Sequence, residues 1–137
     1  YEIKTNTFKG QTTAGSIAVQ GEGTNTTNLQ QGVCKCWALI SADGASILDS
    51  FNVSTIDDDG TGDGGIHFTT DMSSANYVIQ LTADDGAAGS SVNAIEVTKD
   101  TPTSGSFDYE NNYVNSASDN RTAFNVIRHI AVLGDLS

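Results

Sequence analysis

From Val33 onward the chain sets short apolar runs between clusters of glycine and aspartate. Residues 33–40 form one apolar run broken by Lys35 and bounded by Gly32 and by Ser41-Ala42-Asp43-Gly44, which predicts a strand buried over most of its length. Residues 50–54 and 65–70 carry β-branched and aromatic side chains on either side of a segment of carboxylates and glycines, 57–64. That arrangement predicts a β-hairpin with a long, solvated tip. A fourth strand is expected over 77–82, closed by Asp84-Asp85-Gly86, and a fifth over 92–97, ended by Asp100-Thr101-Pro102. The one proline thus falls in a turn.

One segment fits two periods. Ala123, Phe124, Ile127, Ile130 and Ala131 fall on helical spacing, whereas Phe124, Val126, Ile130 and Val132 would line one strand face with His129, Ala131 and Leu133 opposite. The β-branched residues there and the Gly134-Asp135 stop favour a strand. Strands recurring at this spacing, with turn chemistry between them, predict an all-β antiparallel β-sandwich over residues 32–137. Residues 1–31 read differently. Their apolar anchors are sparse, chiefly Ile3, Phe8, Ile17, Val19 and Leu29, so this stretch cannot offset its own ordering entropy. It is expected to be an extended N-terminal arm that leans on the main domain or on copies of itself.

Composition narrows the function classes. A chain of 137 residues can bury roughly 70% of its unfolded surface in one domain. The formal net charge of −11 makes a nucleic-acid backbone or an anionic lipid surface an unfavourable partner, since the long-range field repels both. No apolar stretch approaches the ~20 residues of a membrane-spanning helix, so membrane insertion is not expected. No basic segment followed by an apolar one opens the chain, so no secretory signal is expected in it. Cys34 and Cys36 would share one strand face with parallel side chains, a poor geometry for bridging, and are expected to be reduced packing residues.

Candidate chemistry is thin. Asp57, Asp59 and Asp63 alternate in the acidic turn, which suggests a weak Ca2+ site, but Phe68 stands where the strict loop pattern needs a bidentate glutamate. A hydrated tip whose aspartates cap their own backbone is the simpler reading. His67 and His129 lie in predicted strands beside no nucleophile motif, and no GxSxG, HExxH or phosphate-loop pattern occurs, so no catalytic residue and no enzyme activity are expected. The stretch Phe107-Asp108-Tyr109-Glu110-Asn111-Asn112-Tyr113-Val114-Asn115 mixes rings with amides and carboxylates. Rings stack on the apolar faces of pyranoses while amides and carboxylates bind hydroxyls, so Tyr109, Asn111, Asn112, Tyr113 and Asn115 are candidate receptor contacts, as are Asp84 and Asp85 in the turn that closes the fourth strand. The competing reading is a strand pair with tyrosine on the core side and asparagine in the turn.

The hairpin followed by Ser74-Ala75-Asn76-Tyr77 resembles a module that recurs at the C-terminal, distal ends of bacteriophage tail fibre proteins, especially of marine and cyanobacterial phages. Residues 28–37, in which Gln31-Gly32 leads into Lys35 and Trp37, look like that family's first strand, and residues 130–137 are similar to its ending. Two departures stand out: Cys34 and Cys36 occupy places where small residues such as alanine are expected, and Gly64-Gly65 stand where an aromatic or charged residue often begins the return strand. The resemblance implies a virion tail fibre protein and a homotrimer, with residues 1–31 as a shaft segment. Distal loops would meet a host surface glycan or outer-membrane protein, other tail proteins would be partners, and no cofactor would be needed. A structural virion adaptor or decoration protein is one alternative, and a carbohydrate-binding module or glycan depolymerase another.

Overall fold

The computed structural model describes residues 2–11, 17–20, 23–84, 94–114 and 121–137. The chain divides into two compact units, Tyr1–Val33 and Cys34–Ser137. In the first unit, β1 (Ala18–Gln20) pairs antiparallel with β2 (Thr26–Asn28), and a single helical turn, α1 (Leu29–Gly32), follows. Asn28 caps that turn, its side chain accepting from the Gln31 N–H at 3.1 Å. The sequence reading contains no helix here, because one capped turn is too short to show a helical period. Ile3, Phe8 and Val19 are exposed.

The second unit holds β3 (Cys34–Ile40), β4 (Ile47–Phe51), β5 (Val53–Gly60), β6 (Asp63–Phe68), β7 (Val78–Ala83), β8 (Ala94–Thr98), β9 (Ser106–Val114), β10 (Arg121–Ala123) and β11 (Arg128–Leu133). All described pairings are antiparallel. A four-stranded sheet runs in the order β4-β3-β11-β7. The other sheet is built around β9: β8 lies along one edge, while β6 pairs Ser106 to Glu110 on the opposite edge and β10 takes over there at Asn112 to Val114. β5 flanks β6. Cys36, Ala38, Ile40, Ile130 and Val132 from the first sheet and Ile66, Phe68, Phe107 and Tyr109 from the second join Met72 in one buried cluster. Phe68, Tyr77 and Phe107 meet there edge to face or tilted, with ring centroids 5.6–6.4 Å apart.

The mostly β, antiparallel architecture is as expected, and the strand reading of the ambiguous segment holds for β11, where Arg128, Ile130 and Val132 alternate inward. Several boundaries differ. The run 50–54 is two strands in two different sheets, broken at Asn52 with φ of 60°. The Asn52 amide donates to Lys35 O and Thr70 O, both at 3.0 Å, and its Oδ1 accepts from Thr70 N–H at 2.8 Å, so one side chain welds the corner. The hairpin tip is short rather than long: β5 continues through Asp57 to Gly60, β6 resumes at Asp63, and only Thr61 and Gly62 bridge them. Gly64 and Gly65 are strand residues, because the Tyr109 ring packs over Gly64 and the Asp108 carboxylate lies against Gly65. Residues 107–114 contain no turn; they belong to one nine-residue strand. Of the predicted fifth strand, residues 92 and 93 lie outside the described residues.

Candidate functional site

Alternation along β3 fixes what the four-stranded sheet shows to solvent. Cys36, Ala38 and Ile40 point into the core, so Trp37 and Leu39 face away from it. Register places Phe51 beside Trp37 on one side and Ala131 on the other, with Gln80 beyond Ala131. The next row is Asp49, Leu39, His129 and Thr82, and Val78 stands opposite Leu133. Trp37 is 39% exposed, Phe51 51% and Val78 58%. The result is an open aromatic and aliphatic face, bordered by an amide, a hydroxyl, a carboxylate and an imidazole. Adjacent rings of this kind offer large contact area at low entropy cost. The sequence signal was available: Trp37 sits at odd parity to the core positions of its own strand. The run as a whole reads as apolar, which masks that parity.

The solvent face of the other sheet is acidic. Asp57 and Asp108 lie in register on either side of Gly65, and a Cβ on Gly65 would come 2.5 Å from Asp108 Oδ1 and 3.4 Å from Asp57 Oδ2. His67, one strand period along, meets Asp57 Oδ2 through Nε2 at 2.6 Å. Lys99 donates to Asp63 Oδ2. Partial burial, then repulsion from Asp100, Asp59 and Asp57, raises the Asp108 carboxyl above the ordinary aspartate range, with Lys99 opposing. Lys99 is itself raised by its bond to Asp63. The His67–Asp57 pair is 43% and 49% exposed, so water screens it.

Of the residues expected to form a cation site, Asp59 is exposed and the other two are engaged with cationic or imidazole side chains. Asp57 binds His67, Asp63 binds Lys99, and among the described residues no group of three or more His, Cys, Asp or Glu side chains is arranged to hold a metal. Of the candidate receptor contacts, Tyr109, Asn111 and Asn112 are interior, at 1%, 0% and 3% exposure. Asn111 donates its N–H to Gly62 O at 2.7 Å and so helps seat the hairpin tip. Tyr113 is half-buried and meets Phe124 edge to face at 5.6 Å. Asp84 is exposed, whereas Asp85 and Asn115 lie outside the described residues. His129 is exposed on the aromatic face. The cysteines are free; burial, then Cys34, pushes the Cys36 thiol up to about 12, so it is inert at neutral pH.

No protein-family model matches this chain, and neither curated proteins nor solved structures give a significant match.

Proposed function

We propose that this chain is the distal domain of a virion tail fibre, a β-sandwich that binds a host cell-surface receptor without enzymatic chemistry. The observation that carries this reading is the Trp37–Phe51 pair, exposed side by side on a sheet face with Gln80, Thr82, His129 and Asp49 around it. Such a face presents rings for stacking and polar groups for hydroxyls, the combination a surface glycan or a flat patch of outer-membrane protein would meet. Contact is assigned to this sheet face, and Asp84 and Tyr113 remain candidates, as do Asp85 and Asn115, which lie outside the described residues. Tyr109, Asn111 and Asn112 are left out, because their side chains hold the interior.

The proposed assembly is a homotrimer in which residues 1–31 continue a fibre shaft. Three copies of one weak contact would act together, with the gain in apparent affinity that simultaneous engagement brings. The test is adsorption. Labelled chain should bind host cells and, in excess, block infection, and W37S/F51S should lose both while keeping the wild-type melting temperature. Undiminished adsorption by the double variant would remove this face from the reading. Co-purification with tail proteins and no adsorption at all would select the structural adaptor instead.

A further inference from the structure

We infer that the guanidinium of Arg128 is the seat of a small free anion, within the Cys34–Ser137 unit beside Tyr109, Gly44 and Asp58. Arg128 is one of only six Lys and Arg residues on a chain of net charge −11, yet it is 1% exposed. It opens β11 on the strand face that also carries Ile130 and Val132, so its side chain is directed into the core. Its Nε, Nη1 and Nη2 are all buried, and none has a hydrogen-bond partner among the described residues. A guanidinium cannot shed its charge, and a buried charge persists only if it is paired and its donors are satisfied.

Two neighbours define what the site lacks. The Tyr109 ring lies 5.1 Å from the guanidinium carbon, which gives a cation–π attraction to one face of the group but satisfies none of its N–H donors. Beside the edge stands Gly44, at φ of 79°, whose N–H donates to Ser41 O at 2.9 Å. At the position a Gly44 Cβ would occupy, the nearest atoms beyond its chain neighbours are Arg128 Nη1 at 3.7 Å and Asp58 Oδ1 at 3.8 Å. Between the guanidinium edge and this carboxylate is a gap that no hydrogen bond spans. Asp58 does not close the gap: it is exposed, forms no ion pair with Arg128, and its Oδ1 accepts from Gly60 N–H at 3.2 Å.

An occupant must supply negative charge and lone pairs to a planar fork of donors, which is the chemistry of a halide or a small oxyanion. With the Arg128 side chain 1% exposed, a free ion fits better than a group carried on a polymer. Because such an ion binds the folded state alone, it should stabilise the protein in proportion to the logarithm of its concentration once above its dissociation constant.

The test is thermal unfolding of the full chain at fixed ionic strength, with chloride, bromide or phosphate exchanged for gluconate, so that screening of the net charge stays constant. The wild type should melt at rising temperature with chloride, bromide or phosphate. R128M should show no rise, and D58N a steeper one, because a like charge beside the site has been removed. Equal responses in wild type and R128M would overturn the inference. So would loss of stability in D58N together with an absent anion response, since Asp58 would then be the true counter-charge. If R128M does not fold, crystals of the wild type soaked in bromide decide the matter: an anomalous peak against the guanidinium supports the site, and its absence refutes it.

Discussion

Asn52 shows how much of this fold rests on single polar side chains. It holds a left-handed backbone that few residues adopt readily, and its amide satisfies two carbonyls and one N–H on separate segments. Asn52→Ala should cost about 2–3 kcal/mol in chemical denaturation, through lost bonds and backbone strain together. Asn52→Gly should recover the strain part and keep the rest. Tyr109 gives a second case: as a core ring between Gly64 and Arg128, its replacement by alanine should cost ~3–5 kcal/mol. A loss of receptor adsorption in that variant would therefore report unfolding, not contact.

Asp108 carries a pH dependence. Its folded carboxyl is raised by burial first and by neighbouring aspartates second, so the folded state binds this proton more tightly than the unfolded state. The associated stability is fully present below the unfolded aspartate value and is lost as pH rises through the folded one. Asp108→Asn should thus melt higher than wild type at neutral pH, and the two curves should converge as pH falls into the acid range. A difference that grows on acidification would contradict the assignment.

Among the elements, the β5–β6 hairpin is where local pattern and tertiary contact divide the labour. Glycines and aspartates in 57–64 announce a bend, but any of several positions could carry it. The bend sits at Thr61-Gly62 because β9 lies alongside: a Cβ on Gly62 would fall 2.6 Å from Asn111 O and 2.9 Å from Phe124 N, both backbone atoms, at φ of 72°. Gly60 has φ of 128° but nothing within 4 Å of its Cβ position. Gly62→Ala should therefore destabilise by ~2 kcal/mol or more through clash and strain, and Gly60→Ala by less, through strain alone. Comparing the two melting temperatures checks the assignment. β9 differs from its local pattern for a related reason. Its asparagines look like turn residues in isolation, yet the Asn111 backbone N–H donates to Gly62 O of the hairpin tip and its side-chain amide is directed at Phe124 O.

The larger unit distributes its charge unevenly over its two sheets. Asp57, Asp63 and Asp108 decorate the sheet built on β9, while the face bearing Trp37 and Phe51 has Asp49 as its carboxylate. In a chain of net charge −11, contact with another surface costs least repulsion where the charge is sparse. The buried cluster draws all its members from residues within Cys34–Ser137. A fragment of residues 34–137 should accordingly keep a cooperative thermal transition and β-rich circular dichroism. If a shaft segment drives assembly, the same fragment should sediment at a lower mass than the full chain.

Period-two alternation and turn chemistry were enough to show an antiparallel β protein, the strand character of 128–133 and the reduced, buried state of Cys36, because each of these depends on neighbours along the chain. Sheet membership, the place of the hairpin bend and the interior position of Tyr109, Asn111 and Asn112 depend on which strands meet across space. Alternation names two faces for a strand without saying which of them another sheet will cover. Trp37 came to face solvent, and Arg128 the core, only when β3 and β11 paired and laid one side of their sheet against the cluster it shares with the other.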